Sequence, residues 1–390
     1  MSENRRIAGD QDARGMDLPL LFIAGLILTV GLIMVASASI SLADKTTGSP
    51  FYFLTRQLIF AAIGAGAGVA MYLMPLGWWQ RSGYLLLMLA FALLMMVLVP
   101  GIGRHINGSI RWVVLGPFRL QVSEPARLLI FIYLAGYMVR RSDELAAGFK
   151  GFLKPMLLVG CAGLLLLVEP DFGATLVLTC TALAMLFLGG ARLKDFGLCA
   201  GVAALAALAL VLASPYRLAR LTGFLNPWQD PFDTGFQLTN SLIAIGQGQL
   251  FGVGLGESVQ KLFYLPEAHT DFVFAVTAEE FGLLGSTLLI GLYLALTWRA
   301  VLVARRAAKR EQLFGAYLAF GIGIWIGLQA FINMGVNMGV LPTKGLTLPL
   351  MSYGGSSLIV SCAAIGLLMR VDRETRESGK WKSESKEATA

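Results

Sequence analysis

Leu265-Pro-Glu-Ala-His-Thr-Asp271-Phe-Val-Phe-Ala-Val-Thr-Ala-Glu279-Glu280-Phe-Gly282 places Asp271, Glu279 and Glu280 at the start of an apolar run that continues to Trp298. The pattern is that of a helix entering a membrane with acid at its mouth. At about 100° per residue, Asp271 shares one face with Ala275, Ala278, Gly282 and Gly285, so a groove of small residues is expected beneath it. A second reading is that Thr270 or Asp271 caps the helix, because a carboxylate there satisfies orphan N–H groups and complements the dipole. Glu279 and Glu280 resist that reading: they lie ~12 Å further along at ~1.5 Å per residue. An acid at membrane depth costs at least ~2.5 kcal/mol and usually marks a pathway or a site.

With 56% hydrophobic residues, 14% charged residues and a mean hydropathy of +0.70, the 390 residues read as a polytopic membrane protein. The net charge of +7 raises nucleic acid as a partner, but the cations lie between apolar runs, where topology explains them and no nucleic acid is called for. Ten spans are expected, at 18–40, 55–74, 83–100, 125–139, 155–168, 172–190, 196–213, 271–298, 313–336 and 349–369. Cytoplasmic termini put 21 of the 31 Lys and Arg inside, in accord with the positive-inside rule. The expected fold is therefore all-α, with about ten transmembrane helices and both termini cytoplasmic. It comprises an N-terminal tail 1–17, a membrane domain 18–369 with a long outer loop 214–270, and a disordered C-terminal tail 370–390. Cys161, Cys180, Cys199 and Cys362 sit inside apolar runs without ligand spacing and read as small buried hydrophobes, so no metal centre is expected.

The unusual segments gather on the outer face. The first, 100–124, holds Asn107-Gly-Ser-Ile-Arg111-Trp112 and ends in Ser123-Glu124-Pro125, a plausible helix start. Arg111, Arg119 and Arg127 are cations on the disfavoured side, which argues for an anionic partner. Glu169-Pro-Asp171-Phe-Gly forms a tight acidic turn that either caps the following helix or contributes to a site. The 57-residue loop 214–270 is too apolar for a solvated linker. Its Gly246, Gly248, Gly252, Gly254 and Gly256 do not match a nucleotide cradle and read as flexible or close-packed backbone. Finally, Pro342-Thr-Lys344-Gly and Leu348-Pro-Leu-Met-Ser352-Tyr-Gly354-Gly355-Ser-Ser357 break regular helix at membrane depth. Lipid tolerates that only where protein or a cavity satisfies the backbone, so this segment is expected to line a cavity, with Gly31 in the first span as a contrasting position of ordinary packing.

Carboxylates and cations on one face suit an amphiphile whose phosphate sits at headgroup level. Arg111, Arg127, Arg217, Arg220, Lys261 and Lys344 would hold the phosphate and Asp271, the best-placed base, would take a proton. Transfer of a sugar from a polyprenyl pyrophosphate needs that division: the pyrophosphate leaves once its charge is neutralised, whereas the attacking hydroxyl benefits from a base.

The segments Asn107 to Trp112, Ser123-Glu124, Glu169 to Gly173, His269-Thr-Asp271-Phe and Pro342 through Ser357, in this order on ten spans, resemble the SEDS family (shape, elongation, division, sporulation). The stretch Gly116-Pro-Phe-Arg-Leu-Gln121 and the polar ends look more like its division member than its elongation member. The resemblance implies the SEDS fold and a peptidoglycan glycosyltransferase that polymerises lipid II with inversion. It also implies work in the bacterial cytoplasmic (inner) membrane at the division septum, with a class B penicillin-binding protein and other divisome proteins. Within it Asp271 matches the essential aspartate, Glu124 and Arg127 match a glutamate and a basic residue at the cavity, and Ser352, Gly354 and Gly355 fall in the last family motif. Two positions depart: Val122 stands where proline is commoner and Arg127 where lysine is common. No cofactor is certain, and a divalent cation is left open. A lipid II flippase and a non-catalytic divisome scaffold are the competing expectations; acids stacked at several depths would favour the flippase.

Overall fold

The computed structural model describes residues 16–106, 109–116, 118–342 and 345–388. Helix α1 (Leu18–Thr47) starts where the Asp17 carboxylate accepts the Leu20 N–H at 3.0 Å and stops at Gly48, whose φ of 68° is left-handed. Then come α2 (Tyr52–Leu73), α3 (Leu76–Arg81) and α4 (Gly83–Val97). Strands β1 (Gly103–Ile106), β2 (Ser109–Leu115) and β3 (Phe118–Gln121) follow as an antiparallel sheet in that order. The chain continues through α5 (Ser123–Arg140), α6 (Ser142–Ala147), α7 (Phe149–Val168), α8 (Phe172–Leu188), α9 (Leu193–Leu212), α10 (Pro215–Leu225), α11 (Phe236–Gln247), α12 (Val273–Lys309), α13 (Leu313–Asn337) and α14 (Gly355–Ala388).

Each of the ten expected spans coincides with a helix: α1, α2, α4, α5, α7, α8, α9, α12, α13 and α14. Among the described residues, six of these are long and apolar enough to cross a membrane, and α4 and α8 are shorter apolar helices. The sheet is the one departure from an all-helical chain among the described residues; its longest strand, Ser109-Ile-Arg-Trp-Val-Val-Leu115, does not sustain an alternation of polar and apolar residues and leaves no clear period-two signal.

The centre is built from α13 and α14, with 67% and 78% of their spans buried against 17% for α2. Helix α14 approaches α2 backbone to backbone: a Cβ on Gly366 would lie 2.1 Å from the Gly68 carbonyl oxygen, and one on Gly64 3.1 Å from the Cys362 sulfur. Small residues permit this contact where lipid supplies no hydrophobic drive between helices. Cys161 is exposed and the other three cysteines are half-buried, all four as free thiols. Their expected burial fails at Cys161 because an apolar side chain facing lipid is as comfortable as one facing protein.

Asp17 binds Arg299 at 2.5 Å and Arg306 at 3.0 Å, and Arg306 also binds Asp372 at 2.9 Å, so the start of α1, the last turns of α12 and the middle of α14 meet at one face. The disorder expected after residue 370 is not observed: α14 continues, and Glu374 accepts the Leu76 N–H at 2.9 Å. Residues 1–15 lie outside the described residues. The loop 214–270 contains α10 and α11 and, as its apolar content requires, α11 buries Leu238, Thr239, Ser241 and Ala244.

Candidate active site

Helix α12 is interrupted at Gly282, with φ 66° and ψ −160°, a conformation open essentially to glycine alone. The break is sealed by the loop after α11. Val253 and Gly254 donate their N–H groups to the carbonyls of Glu279 and Glu280, while Leu283 and Leu284 donate to the carbonyls of Gln249 and Leu250. Four peptide groups at the break are thereby satisfied, in keeping with what membrane depth demands. The loop glycines make the approach: a Cβ at Gly248 would sit 2.0 Å from the Ala278 oxygen, and one at Gly252 2.1 Å from the Glu280 oxygen. Close packing, one of the two readings of these glycines, is what the structure adopts. The groove of small residues expected beneath Asp271 does not form, because Ala275 and Ala278 are buried and Gly282 ends their helical face.

The deep acids serve the same seal. Glu279 accepts from the Ser258 hydroxyl and from the Val259 N–H at 2.9 Å. Glu280 accepts from the Lys261 ammonium at 2.8 Å and the Ser37 hydroxyl at 2.6 Å. Lys261 also donates to Ser37 Oγ at 2.9 Å and to the Gly256 carbonyl at 2.7 Å. An ammonium has three N–H donors, and all three are used inside the protein. The expectation that Lys261 holds a phosphate is corrected accordingly: its charge neutralises Glu280 and ties the loop to α1.

Asp271 precedes α12 and is half-buried, with Oδ2 3.1 Å from the position a Cβ would take on Gly345. Its backbone is fixed by α13: Asn333 Nδ2 and Asn337 Nδ2 donate to the Asp271 carbonyl at 2.9 and 3.0 Å. Asn337 Oδ1 in turn accepts the Ala275 N–H at 3.1 Å. The side chain that caps this helix end is thus an amide from another helix. Gln329, one turn before Asn333, extends the polar stripe by donating to the Thr347 carbonyl at 2.9 Å and accepting from Arg127 at 3.2 Å. Residues at i, i+4 and i+8 share a helix face, and this face connects Asp271, the 345–348 segment and Arg127. Four-residue spacing of amides within an apolar helix is the sequence signal of this face.

Arg127 is buried against Glu124 at 2.5 Å, with its guanidinium 5.5 Å from the Trp325 ring. Glu124 Oε2 and Arg127 Nε have no hydrogen-bond partner among the described residues, so the pair keeps unused capacity. Beside it, Asp171 caps α8 by accepting the Ala174 N–H at 3.0 Å and also accepts from Ser123 Oγ at 3.2 Å and Gln121 Nε2 at 3.3 Å. Arg111 stands 3.7 Å from the same carboxylate. Glu169 is fully buried with neither oxygen hydrogen-bonded among the described residues, and desolvation, reinforced by Asp171 and opposed by Arg111, pushes its carboxyl up to about 8.

The segment 345–354 is non-helical, as its prolines and glycines imply. Ser352 Oγ accepts the Leu348 N–H at 2.8 Å, Gln57 Nε2 donates to the Ser352 carbonyl at 3.0 Å, and Tyr293 donates to the Pro349 carbonyl at 2.6 Å. The Tyr353 N–H donates to the His269 carbonyl at 2.9 Å, and both rings pack against Phe53, His269 tilted and Tyr353 edge-to-face, which brings the 269–271 and 345–355 motifs into contact. Gly355 is held against the Phe60 ring, 2.8 Å from a would-be Cβ, whereas the position at Gly354 is clear of contacts below 3.5 Å. Gly31 is not ordinary packing: a Cβ there would lie 2.6 Å from the Met351 Cα. Arg56, half-buried and bonded to the Tyr52 hydroxyl at 2.8 Å, is a further cation near Tyr353, in a helix whose sequence carries no motif to mark it.

Lys344 lies outside the described residues, and so do the side chains of Arg217 and Arg220, whose backbone belongs to α10. No group of three His, Cys, Asp or Glu able to hold a metal ion occurs among the described residues. A cavity of about 710 Å³ lies between α1, α2 and residues 255–262; Asp271, Glu124 and Arg127 do not line it.

The family model described as "Cell cycle protein", covering FtsW, RodA and SpoVE, matches residues 18–377. A probable peptidoglycan glycosyltransferase FtsW from Thioalkalivibrio sulfidiphilus is 58% identical over 94% of this chain and 92% of its own. That of Nitrosococcus halophilus is 55% identical over 92% and 93%. Among solved structures, a chain of a peptidoglycan synthase complex, described as coordinating polymerization and crosslinking, is 30% identical with a TM-score of 0.74, covering 93% of this chain and 98% of that one. The rod shape determining protein RodA of Thermus thermophilus is 29% identical with a TM-score of 0.68, covering 92% and 97%. The SEDS resemblance drawn from the motifs is borne out over nearly the whole chain.

Proposed function

This chain belongs to the FtsW, RodA and SpoVE family of cell cycle proteins, and we propose that it is a peptidoglycan glycosyltransferase that polymerises lipid II with Asp271 as general base. The curated relatives at 50–58% identity carry the glycosyltransferase activity in their names. The observation that carries the residue assignment is the fixing of Asp271 by Asn333 and Asn337. Three elements that bear family motifs converge there, and a preorganised base needs no reorganisation at the moment of reaction.

In the proposed step the acceptor hydroxyl attacks the anomeric carbon of the donor sugar. The bond from that carbon to the pyrophosphate oxygen breaks, and the electron pair leaves on the polyprenyl pyrophosphate. The hydroxyl proton passes to the Asp271 carboxylate, and configuration inverts. Leaving-group charge falls to cations: Arg111 and Arg56 beside the site, Lys344 next in sequence to the Gly345 that faces Asp271, and Arg217 and Arg220 from α10. Glu124 and Arg127 set the wall through Gln329, and Ser352, Gly354 and Gly355 hold the irregular segment.

The chain is a multi-pass membrane protein. We place it in the bacterial inner membrane at the septum with both termini cytoplasmic, acting beside a class B penicillin-binding protein; the similarity to a chain of a peptidoglycan synthase complex supports such a partner. The internal pairing of Glu279 with Ser258 and of Glu280 with Lys261 favours the transferase over a proton-coupled carrier, because both acids are engaged in fixing the loop. Polymerisation of lipid II by the purified chain with its partner, wild type against Asp271→Asn, tests the assignment. Turnover near wild type in the variant would refute Asp271 as base.

A further inference from the structure

Helix α3 lies at the end of the molecule where α12 finishes and α14 passes its midpoint: the Leu76 N–H binds Glu374, and Arg370 Nη1 donates to the Tyr72 carbonyl at 3.4 Å. That end carries Arg299, Arg306, Arg370, Arg373 and Arg376, the density of cations that marks a cytoplasmic face. Each of those five arginines has a carboxylate partner. Arg81 and Arg140 have none among the described residues.

These two arginines face one cavity of about 380 Å³, completed by Gly77, Gln80 and Tyr84. Arg140 is held in place: its guanidinium lies 4.9 Å from the Tyr84 ring and 5.8 Å from the Tyr133 ring. Gly136 and Gly83 clear the room, since Cβ atoms there would lie 2.8 and 3.7 Å from Nη1. Stacking occupies the faces of a guanidinium and leaves its edge N–H groups for a forked acceptor such as a phosphate.

We propose that this cavity binds the phosphate of an anionic phospholipid from the cytoplasmic leaflet. A lipid is favoured over a soluble phosphate because Tyr84 is followed along α4 by exposed Leu85, Met88 and Leu89, an apolar strip on which an acyl chain can lie. Exposed Trp78 beside the pocket suits headgroup depth. Basic pockets between helices on this side of a membrane bind anionic headgroups by the same chemistry. The inference rests on the proposed orientation and is independent of the transferase reading.

Native mass spectrometry of the full-length chain in detergent, titrated with phosphatidylglycerol or phosphatidylcholine, decides it. Wild type should retain phosphatidylglycerol at least about 5-fold over phosphatidylcholine. Arg81→Gln with Arg140→Gln should abolish the preference, and Lys150→Gln, an exposed cation on the same side, should preserve it. Equal retention of the two lipids by wild type overturns the proposal without reference to any variant, as does an undiminished preference in the double variant. Inorganic phosphate that displaces phosphatidylglycerol at equal concentration would assign the pocket to a soluble anion and overturn it too.

Discussion

Asn337 and Asp271 form a backbone clamp: the Asn337 amide donates to the Asp271 carbonyl at 3.0 Å while its oxygen takes the Ala275 N–H at 3.1 Å. One side chain thus closes the start of α12 and sets the position of the proposed base. Asn337→Leu removes both bonds and leaves a buried N–H without a partner, costing about 1–3 kcal/mol. Lipid II polymerisation should lose about 10-fold or more in kcat with a smaller change in KM, because misplacing a base weakens the transition state more than substrate binding. An equal loss in both parameters would indicate a role in binding instead.

Asp271→Asn keeps the size and the backbone carbonyl that Asn333 and Asn337 hold. The variant should fold with an unchanged melting temperature and lose polymerisation by about 10²–10⁴-fold, the contribution of a positioned base. A melting temperature lowered along with activity would show that the carboxylate is structural.

Gly282→Ala puts a side chain at φ 66° and ψ −160°, with its Cβ 2.4 Å from the Gly252 nitrogen. Backbone strain alone costs about 1–3 kcal/mol, and the seal of α12 opens in addition. Gly291 lies in the same helix with nothing within 4 Å, so Gly291→Ala should be neutral or stabilising by about 0.5–1 kcal/mol. Thermal unfolding in one detergent compares the two; similar shifts for both would mean the break is not required.

The spans were legible because lipid imposes long apolar runs, and the motif residues because their charges interrupt those runs. The break at Gly282 was not legible: its peptide groups are satisfied by residues 249–254, some thirty positions earlier, and periodicity carries no information about a partner that far away. Lys261 misled for the same reason. A cation in an outer loop reads as solvent-facing until the loop is known to fold into the bundle and meet Glu280. Asn333 and Asn337 were accessible through their four-residue spacing in an apolar helix, the signal of a polar face. Glu124 and Arg127 are three apart on one helix, and their pairing follows from that spacing.

Lys261 and Glu280 are both buried and 2.8 Å apart. Lys261→Met strands the Glu280 charge and should destabilise by about 3–5 kcal/mol, whereas replacing both partners with apolar residues of similar volume is often close to neutral. Lys261→Met with Glu280→Met should therefore recover most of the melting temperature and of the activity. If Lys261 instead held the pyrophosphate, the double variant would regain stability and still fail to turn over.

Glu169 gives the stability a pH dependence of opposite sign to that of an ordinary ion-paired acid. Its carboxyl moves from an ordinary 4.5 to about 8, through desolvation first and then the Asp171 charge, with Arg111 opposing. Between those values the native state holds a proton that the unfolded chain has released. Native proton binding exceeds unfolded binding there, so this contribution is present in full below about 4.5 and is lost as pH rises toward 8. The limiting slope is about 1.4 kcal/mol per pH unit, and relaxation around the buried group will lower it. Glu169→Gln keeps the shape and cannot ionise, so its melting temperature should fall less than that of wild type between pH 5.5 and 8, and at pH 8 the variant should be the more stable protein. Parallel melting curves across that range would show that Glu169 ionises in the native state without cost, through a partner that neutralises it.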